Sequence, residues 1–209
     1  MKDKSCRQDG GVTVGEDEAK TVPPASCRQV WGLRIRCRGR LPHWESEGGT
    51  YFITFRLNDS VPKKIADAYR FERKNIVKTA EQLKRPLTDY EIGRLQKLYS
   101  TKIDSYLDKG IGECYLRQES IAQSVLDAFE YFHDTRYKLY ALSIMPNHVH
   151  LLFRPFEDYV LDRILHSWKS YTATQANRFL NRSGVFWQKE YYDHLVRDQY
   201  EFDRIVKSL

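Results

Sequence analysis

Long apolar runs are missing from this 209-residue chain: no stretch approaches the roughly eighteen consecutive apolar residues that a membrane span requires. The first twenty residues, MKDKSCRQDGGVTVGEDEAK, lack the apolar core of a secretory signal, so export is not expected and a cytoplasmic location is. Cysteine is scarce. The four present, Cys6, Cys27, Cys37 and Cys114, form no Cys-x-x-Cys pair, which argues for reduced thiols and against a zinc knot or a disulfide framework. Acidic residues are in deficit, 28 against 34 Lys plus Arg, and the net charge of +6 favours a polyanionic partner without identifying one. What the chain does have is enough apolar content, 41%, to bury a single core, and 14 tyrosines, a useful supply of rings for stacking on bases.

Residues 1–40 are rich in Gly, Lys, Arg and Asp and show no periodicity, so they read as a flexible leader in which only Val30–Cys37 has strand character. Order is expected from Leu41 to the end, as one domain over 41–209. Thr50–Leu57 is β-branched and aromatic and is bounded by Gly48-Gly49 and Asn58-Asp59, which predicts a strand. The stretch from Pro62 to Lys109 reads as a helical insertion, a solvated hairpin of two helices, the second opened by a Thr88–Glu91 capping box. A second such box, Ser120–Gln123, predicts the start of the next helix. Tyr137–Met145 and His148–Arg154 are strands joined by Pro146-Asn147, hence an antiparallel hairpin. A basic amphipathic helix follows over Leu161–Leu180, then a short aromatic segment and a last helix. This alternation predicts an α+β fold, an antiparallel sheet with helices packed on one face.

The chemistry concentrates in His148-Val149-His150. Side chains alternate along a strand, so the two imidazoles share one face about 6.5–7 Å apart at the backbone. Two histidines so placed can hold one divalent cation and leave positions open for substrate oxygens. They can equally be structural residues, each requiring a hydrogen-bond partner once buried. The spacing by itself leaves both readings open.

The block Ala141–Arg154 resembles the signature strand pair of the HUH single-tyrosine transposases, and in particular their REP-associated branch. The resemblance extends to Leu41–Glu45, Tyr51–Leu57, Leu165–Tyr171 with Asn177-Arg178, and Phe186–Asp198. It implies a ferredoxin-like core with the His148–His150 strand in the middle of the sheet. It also implies a transposase that binds single-stranded or hairpin DNA as a monomer or homodimer. In that family the histidine pair and a third ligand hold Mg or Mn on the scissile phosphate. A helix-borne tyrosine then attacks, forming a 5′-phosphotyrosine that strand transfer resolves in DNA transposition.

At the position that the resemblance gives to the nucleophile, Phe202–Ser208, this chain carries Ser208, and the Asn-Pro segment that usually follows is missing, so the C-terminal end is expected to be truncated. A serine is a poor substitute without an adjacent base. The alternative is therefore a DNA-binding remnant that does not cut. Tyr191 and Tyr192, and also Tyr171 and Tyr200, are expected to pack rather than to attack. Backbone-tracking and stacking roles are expected of Lys169, Arg178, Trp187, Gln188, Tyr192 and Arg197, with Arg182 and Lys189 beside them. His166 and His194 are expected to hydrogen-bond locally, His133 to bond free carbonyls at the end of the helix before it, and His43 has no assigned role. A third reading, an unrelated metal phosphodiesterase, would add Glu190 to the histidine pair.

Overall fold

The computed structural model describes residues 34–38, 41–45, 48–85, 87–99 and 103–209. Most of the expected leader lies outside the described residues. Its strand-like end is present as β1 (Arg34–Arg38), paired antiparallel with β2 (Leu41–Glu45).

The main sheet has four strands: β3 (Tyr51–Arg56), β4 (Tyr137–Met145), β5 (His148–Pro155) and β6 (Tyr192–Leu195), in the order β4-β5-β3-β6. Every neighbouring pair is antiparallel. With α4 (Glu119–Glu130) between β3 and β4, and α5 (Leu161–Phe179) between β5 and β6, the chain order is βαββαβ, the ferredoxin-like arrangement. The expected α+β class and the central place of β5 are both observed.

Alternation along the strands sorts the residues by face. Tyr51, Ile53 and Phe55 of β3 and Val149, Leu151 and Phe153 of β5 are buried on one face, under α4 and α5. Trp168 of α5 anchors this layer: its ring meets Phe129, Tyr137 and Phe153 edge-on, and its Nε1–H donates to the Tyr137 hydroxyl at 3.0 Å. Tyr137 passes the bond on to the Phe129 carbonyl at 2.8 Å, so the polar tips inside the core are satisfied.

The expectation of helices on one face holds for α4 and α5, but not for α6 (Gln199–Ser208). Phe202 and Ile205 of α6 pack with Leu152 and Val196, against Phe52 and Tyr140, on the opposite face. That face carries His148 and His150. Asp198 caps α6 by accepting from Glu201 N–H at 2.8 Å.

The insertion fills the crossover between β3 and α4. It consists of α1 (Lys63–Gln82), α2 (Asp89–Tyr99) and a single turn, α3 (Ser105–Leu107). The capping box at α2 forms as expected: Thr88 N–H donates to Glu91 Oε2 at 2.9 Å and Glu91 N–H to Thr88 Oγ1 at 3.3 Å. Arg85 adds a bidentate pair to Glu91, and with the Thr88 bonds it holds that carboxyl down at about 2. The box expected at Ser120–Gln123 does not form, because α4 starts at Glu119 and Ser120 lies inside the helix. The insertion is not a free hairpin in solvent. Ala66 and Tyr69 join Val61, Leu98, Ile103 and Leu107 in a core of their own, against which Tyr192 packs.

The insertion leaves and rejoins the sheet at one neck. Glu113 N–H donates to Asp59 Oδ2 at 2.8 Å, and a Cβ on Gly112 (φ +100°) would stand 2.9 Å from the Asp59 carbonyl oxygen. Only glycine fits there without strain. Next to the neck, Cys114 is disulfide-bonded, contrary to the expectation of reduced thiols.

Candidate metal centre and nucleic-acid interface

The two-residue turn Pro146-Asn147 and the strict alternation of β5 together place the histidine pair. His148 and His150 face the same way, and their Nε2 atoms lie 3.0 Å apart. Phe52 of β3 stacks on the His150 ring at 5.4 Å and 17°. Both rings are held from behind. Asn147 is fully buried and donates from Nδ2 to the Ile111 carbonyl at 2.9 Å, so its amide oxygen is what faces His148 Nδ1 at 2.7 Å. An amide oxygen only accepts, so Nδ1 of His148 carries the proton and Nε2 presents its lone pair. His150 Nδ1 lies 2.7 Å from the hydroxyl of Thr54, its partner across the β3–β5 ladder.

Burial pushes the His148 imidazole down to about 2, with the neighbouring His150 adding to the effect, and burial alone takes His150 down to about 4. Both are neutral at pH 7, the state in which imidazole binds metal. A cation with bonds of about 2.1 Å to two nitrogens at right angles needs them about 3 Å apart, which is the observed separation. Second partners on both Nδ1 atoms are the usual arrangement behind metal-bound histidines. The donor set therefore fits a divalent cation. Among the described residues, no group of three His, Cys, Asp or Glu converges on one point.

Glu190, the carboxylate considered as a third ligand, lies instead beside buried Arg73 of α1, at 3.9 Å. His194 and Glu201 pair with each other at 2.9 Å under α6. His133 accepts from Leu139 N–H of β4 at 3.1 Å. His166 is exposed on α5.

The remaining candidates disperse. Trp187 is 4% exposed, meets Phe55 edge-on and donates from Nε1 to Thr172 at 2.7 Å, so it is a core residue and not a stacking platform. Lys169 donates to the carbonyls of Gln188 and Lys189 at 2.6 and 2.9 Å, clipping the chain edge to α5. Burial, with Arg56 nearby, lowers its amine to about 8. Gln188 N–H donates to the Arg56 carbonyl at 2.8 Å, extending the sheet edge. Arg178 is exposed in the last turn of α5, while Arg197 is exposed but bound to Glu201 at 3.1 Å.

Tyr191 donates to Asp162 at 2.8 Å. Tyr192 is on the histidine face, in one cross-strand row with Thr54 and His150. Burial, aided by Asp193, raises its hydroxyl to about 12, which opposes its use as a nucleophile. Tyr171 and Tyr200 are 50% and 80% exposed on helix surfaces. Ser208 is exposed on α6, and its hydroxyl donates to the Ile205 carbonyl at 2.8 Å.

Sequence reasoning missed Thr54, Asn147 and Arg56. Arg56 is buried and pairs across the ladder with His148. The asparagine was visible only as a turn residue, and the other two depend on the β3–β5 register, which neither strand reveals alone.

Residues 115–207, which hold this pair and all the sheet except β3, match the IS200-like transposase family. This part of the chain resembles an IS200-like transposase domain. The match spans α4 to α6 and omits β3 and the insertion. No curated protein matches the chain in sequence. Among solved structures, the domain and its surroundings are similar to a REP-associated tyrosine transposase bound to a REP hairpin. That likeness has 11% identity and a TM-score of 0.42, covering 81% of this chain and 68% of that one. A second likeness is to a protein of Deinococcus radiodurans R1 assigned as a transposase, at 12% identity and a TM-score of 0.33, over 84% of this chain and 95% of that one.

Proposed function

We propose that this protein acts on single-stranded or hairpin DNA in the cytoplasm as a transposase-like protein, with Mg or Mn held by His148 and His150. The observation that carries the reading is the 3.0 Å approach of two neutral Nε2 atoms whose rings are fixed from behind. When bound, such an ion polarises a phosphoryl oxygen and stabilises the charge that develops on it. The chain's own part is to orient both rings through Asn147 and Thr54, to keep them unprotonated by burial, and to place the Arg56 cation beside His148. The preference for hairpins rests on the sequence blocks that resemble the REP-associated branch.

A second reading, binding without cutting, is favoured by two observations. Ser208 stands where the family's tyrosine is expected, and its hydroxyl is engaged with a backbone carbonyl rather than with a base. Tyr192, the tyrosine that shares the histidine face, is held protonated.

The test uses a 3′-labelled hairpin with single-stranded flanks, so that the label stays on the fragment a 5′-phospho adduct would retain, incubated with the protein and Mn²⁺ and resolved under denaturing conditions, beside a binding titration. The non-cutting reading expects salt-sensitive binding, tighter than to random duplex, that survives His148→Ala and gives no covalent adduct. An adduct with the wild-type chain establishes cutting. Binding no tighter than to duplex overturns both readings.

A further inference from the structure

A groove of about 1190 Å³ runs between α5 and the segment 184–191, and Lys169 of α5 lines it. The residue is half-buried, so its amine is partly desolvated and still faces the groove. Its Nζ lies 5.9 Å from the centroids of both the Phe55 and Tyr191 rings. It donates to two carbonyls, of Gln188 at 2.6 Å and of Lys189 at 2.9 Å.

Those two bonds suit a neutral amine. An ammonium has three N–H donors, whereas a neutral amine has two donors and one lone pair. Cε and the two carbonyls take three tetrahedral directions at Nζ. In the neutral form both hydrogens are bonded and the lone pair is the group left over. Burial is the largest effect on this amine and lowers it to about 8; Arg56 of β3 adds to the lowering and Glu190 opposes it. At pH 7.5 an amine at about 8 is roughly one-quarter neutral, against about one in a thousand for an ordinary lysine.

The groove around Lys169 is cationic at its rim. Arg163, His166 and Lys189 line it and are exposed, and Arg70 of α1 lines it from the insertion. Two carboxylates oppose them, and both are engaged. Asp162 accepts from Tyr191 at 2.8 Å, and Glu190 faces Arg73 of α1 at 3.9 Å. A negatively charged reagent is therefore drawn toward the amine.

We propose that Lys169 is a modification site: a nucleophilic amine that takes a small acyl group from an anionic activated donor, an acyl phosphate or a phosphate-bearing acyl thioester, and is thereby unclipped from the segment 188–189. In the step, Nζ bonds to the acyl carbonyl carbon and the bond from that carbon to the leaving oxygen or sulfur breaks. The amine proton leaves on the departing phosphate or thiolate. The amide product has no charge and one N–H for two carbonyls, so at least one of the bonds to Gln188 and Lys189 is lost. The released stretch leads into Tyr191 and β6. The proposal does not depend on the DNA-binding reading.

The test treats the full chain at pH 7.5 with acetyl phosphate, acetyl-coenzyme A or uncharged 4-nitrophenyl acetate, and follows each lysine by mass spectrometry of peptides. Lys169 is expected to be acylated about tenfold faster than Lys74 and Lys78, exposed lysines of α1 outside the groove, with a rate that levels off above pH about 8. Arg163→Ala and Lys189→Ala are expected to slow the two charged donors several-fold and to leave the uncharged ester unchanged. The faster of the charged donors identifies the source of the acyl group. Acylated protein, and the uncharged variant Lys169→Gln, are expected to exchange the amide hydrogens of 186–192 faster than wild type. Acylation of Lys169 no faster than of Lys74 and Lys78 with all three reagents overturns the proposal and leaves Lys169 an inert clip. Fast acylation by the uncharged ester alone overturns the anionic donor, and unchanged exchange in the acylated protein overturns the release.

Discussion

The hydroxyl of Thr54 stands 2.7 Å from Nδ1 of His150, and that contact sets which nitrogen of His150 faces His148. When Thr54 accepts, the His150 proton is on Nδ1 and two lone pairs meet 3.0 Å apart, an arrangement that a cation stabilises. When Thr54 donates, Nε2–H of His150 bonds to His148 and closes the pair without an ion. Thr54→Val removes the acceptor and favours the closed tautomer. Mn²⁺ affinity, read by calorimetry or by the free-ion EPR signal, is expected to fall about 10- to 100-fold, and Thr54→Ser is expected to restore it. Unchanged affinity in the valine variant would show that Thr54 does not orient the ring.

The two histidines also predict how the metal-free protein responds to acid. Their folded values, about 2 and about 4, lie below the ordinary imidazole value of 6.5. Below pH 6.5 the unfolded chain takes up protons that the folded chain refuses, so stability is full above that pH and falls as pH drops toward 4. Urea midpoints between pH 7 and pH 4.5 are expected to show this fall, and His148→Asn, which cannot titrate, is expected to flatten it. Added Mn²⁺ should deepen the dependence, because it binds only the neutral rings.

A separate acid limb belongs to Glu201. Burial pushes its carboxyl up, but the bonds from Arg197 and His194 outweigh burial and leave it at about 2. A lowered carboxylate stabilises above its unfolded value and loses that contribution as pH falls through the folded one. Glu201→Gln is expected to cost about 1–3 kcal/mol at pH 7, since the buried Glu201 carboxylate is the charged acceptor of both His194 and Arg197. Its urea curve should change less than wild type between pH 4.5 and pH 2.5.

Trp187 separates a core role from a stacking role. Its indole N–H is bound to Thr172 and its ring to Phe55, so Trp187→Phe is expected to lose about 1 kcal/mol of stability with DNA affinity per folded molecule unchanged. A large loss of affinity without loss of stability would return Trp187 to the DNA surface.

The parts of this fold that were legible in the sequence are those set by local rules. Tyr137–Met145 and the histidine strand follow from alternation and a two-residue turn, the α2 start follows from Thr88 and Glu91, and α5 follows from helical periodicity. What escaped notice depends on distant partners. Tyr192–Leu195 is a strand only because β3 offers an edge, and four mixed residues carry no alternation of their own. Phe202 and Ile205 make a good apolar face, but nothing local says which side of the sheet it covers. Trp187 was misread for the same reason: its burial comes from α5 and β3, not from its neighbours in sequence. The ring partners Thr54 and Asn147 were in plain sight as residues, yet their role required the register.

The neck at Asp59 and Glu113 has a consequence for how this chain can vary. The two ends of the excursion already touch, so closing it exacts a loop entropy that grows only logarithmically with length, about 0.6 kcal/mol per doubling. Residues can be added to or removed from the far ends of α1 and α2 with little thermodynamic effect on β3 and β4. The reach of the insertion beyond Tyr192 on the histidine face is thus an adjustable dimension, set independently of the sheet that holds the histidine pair.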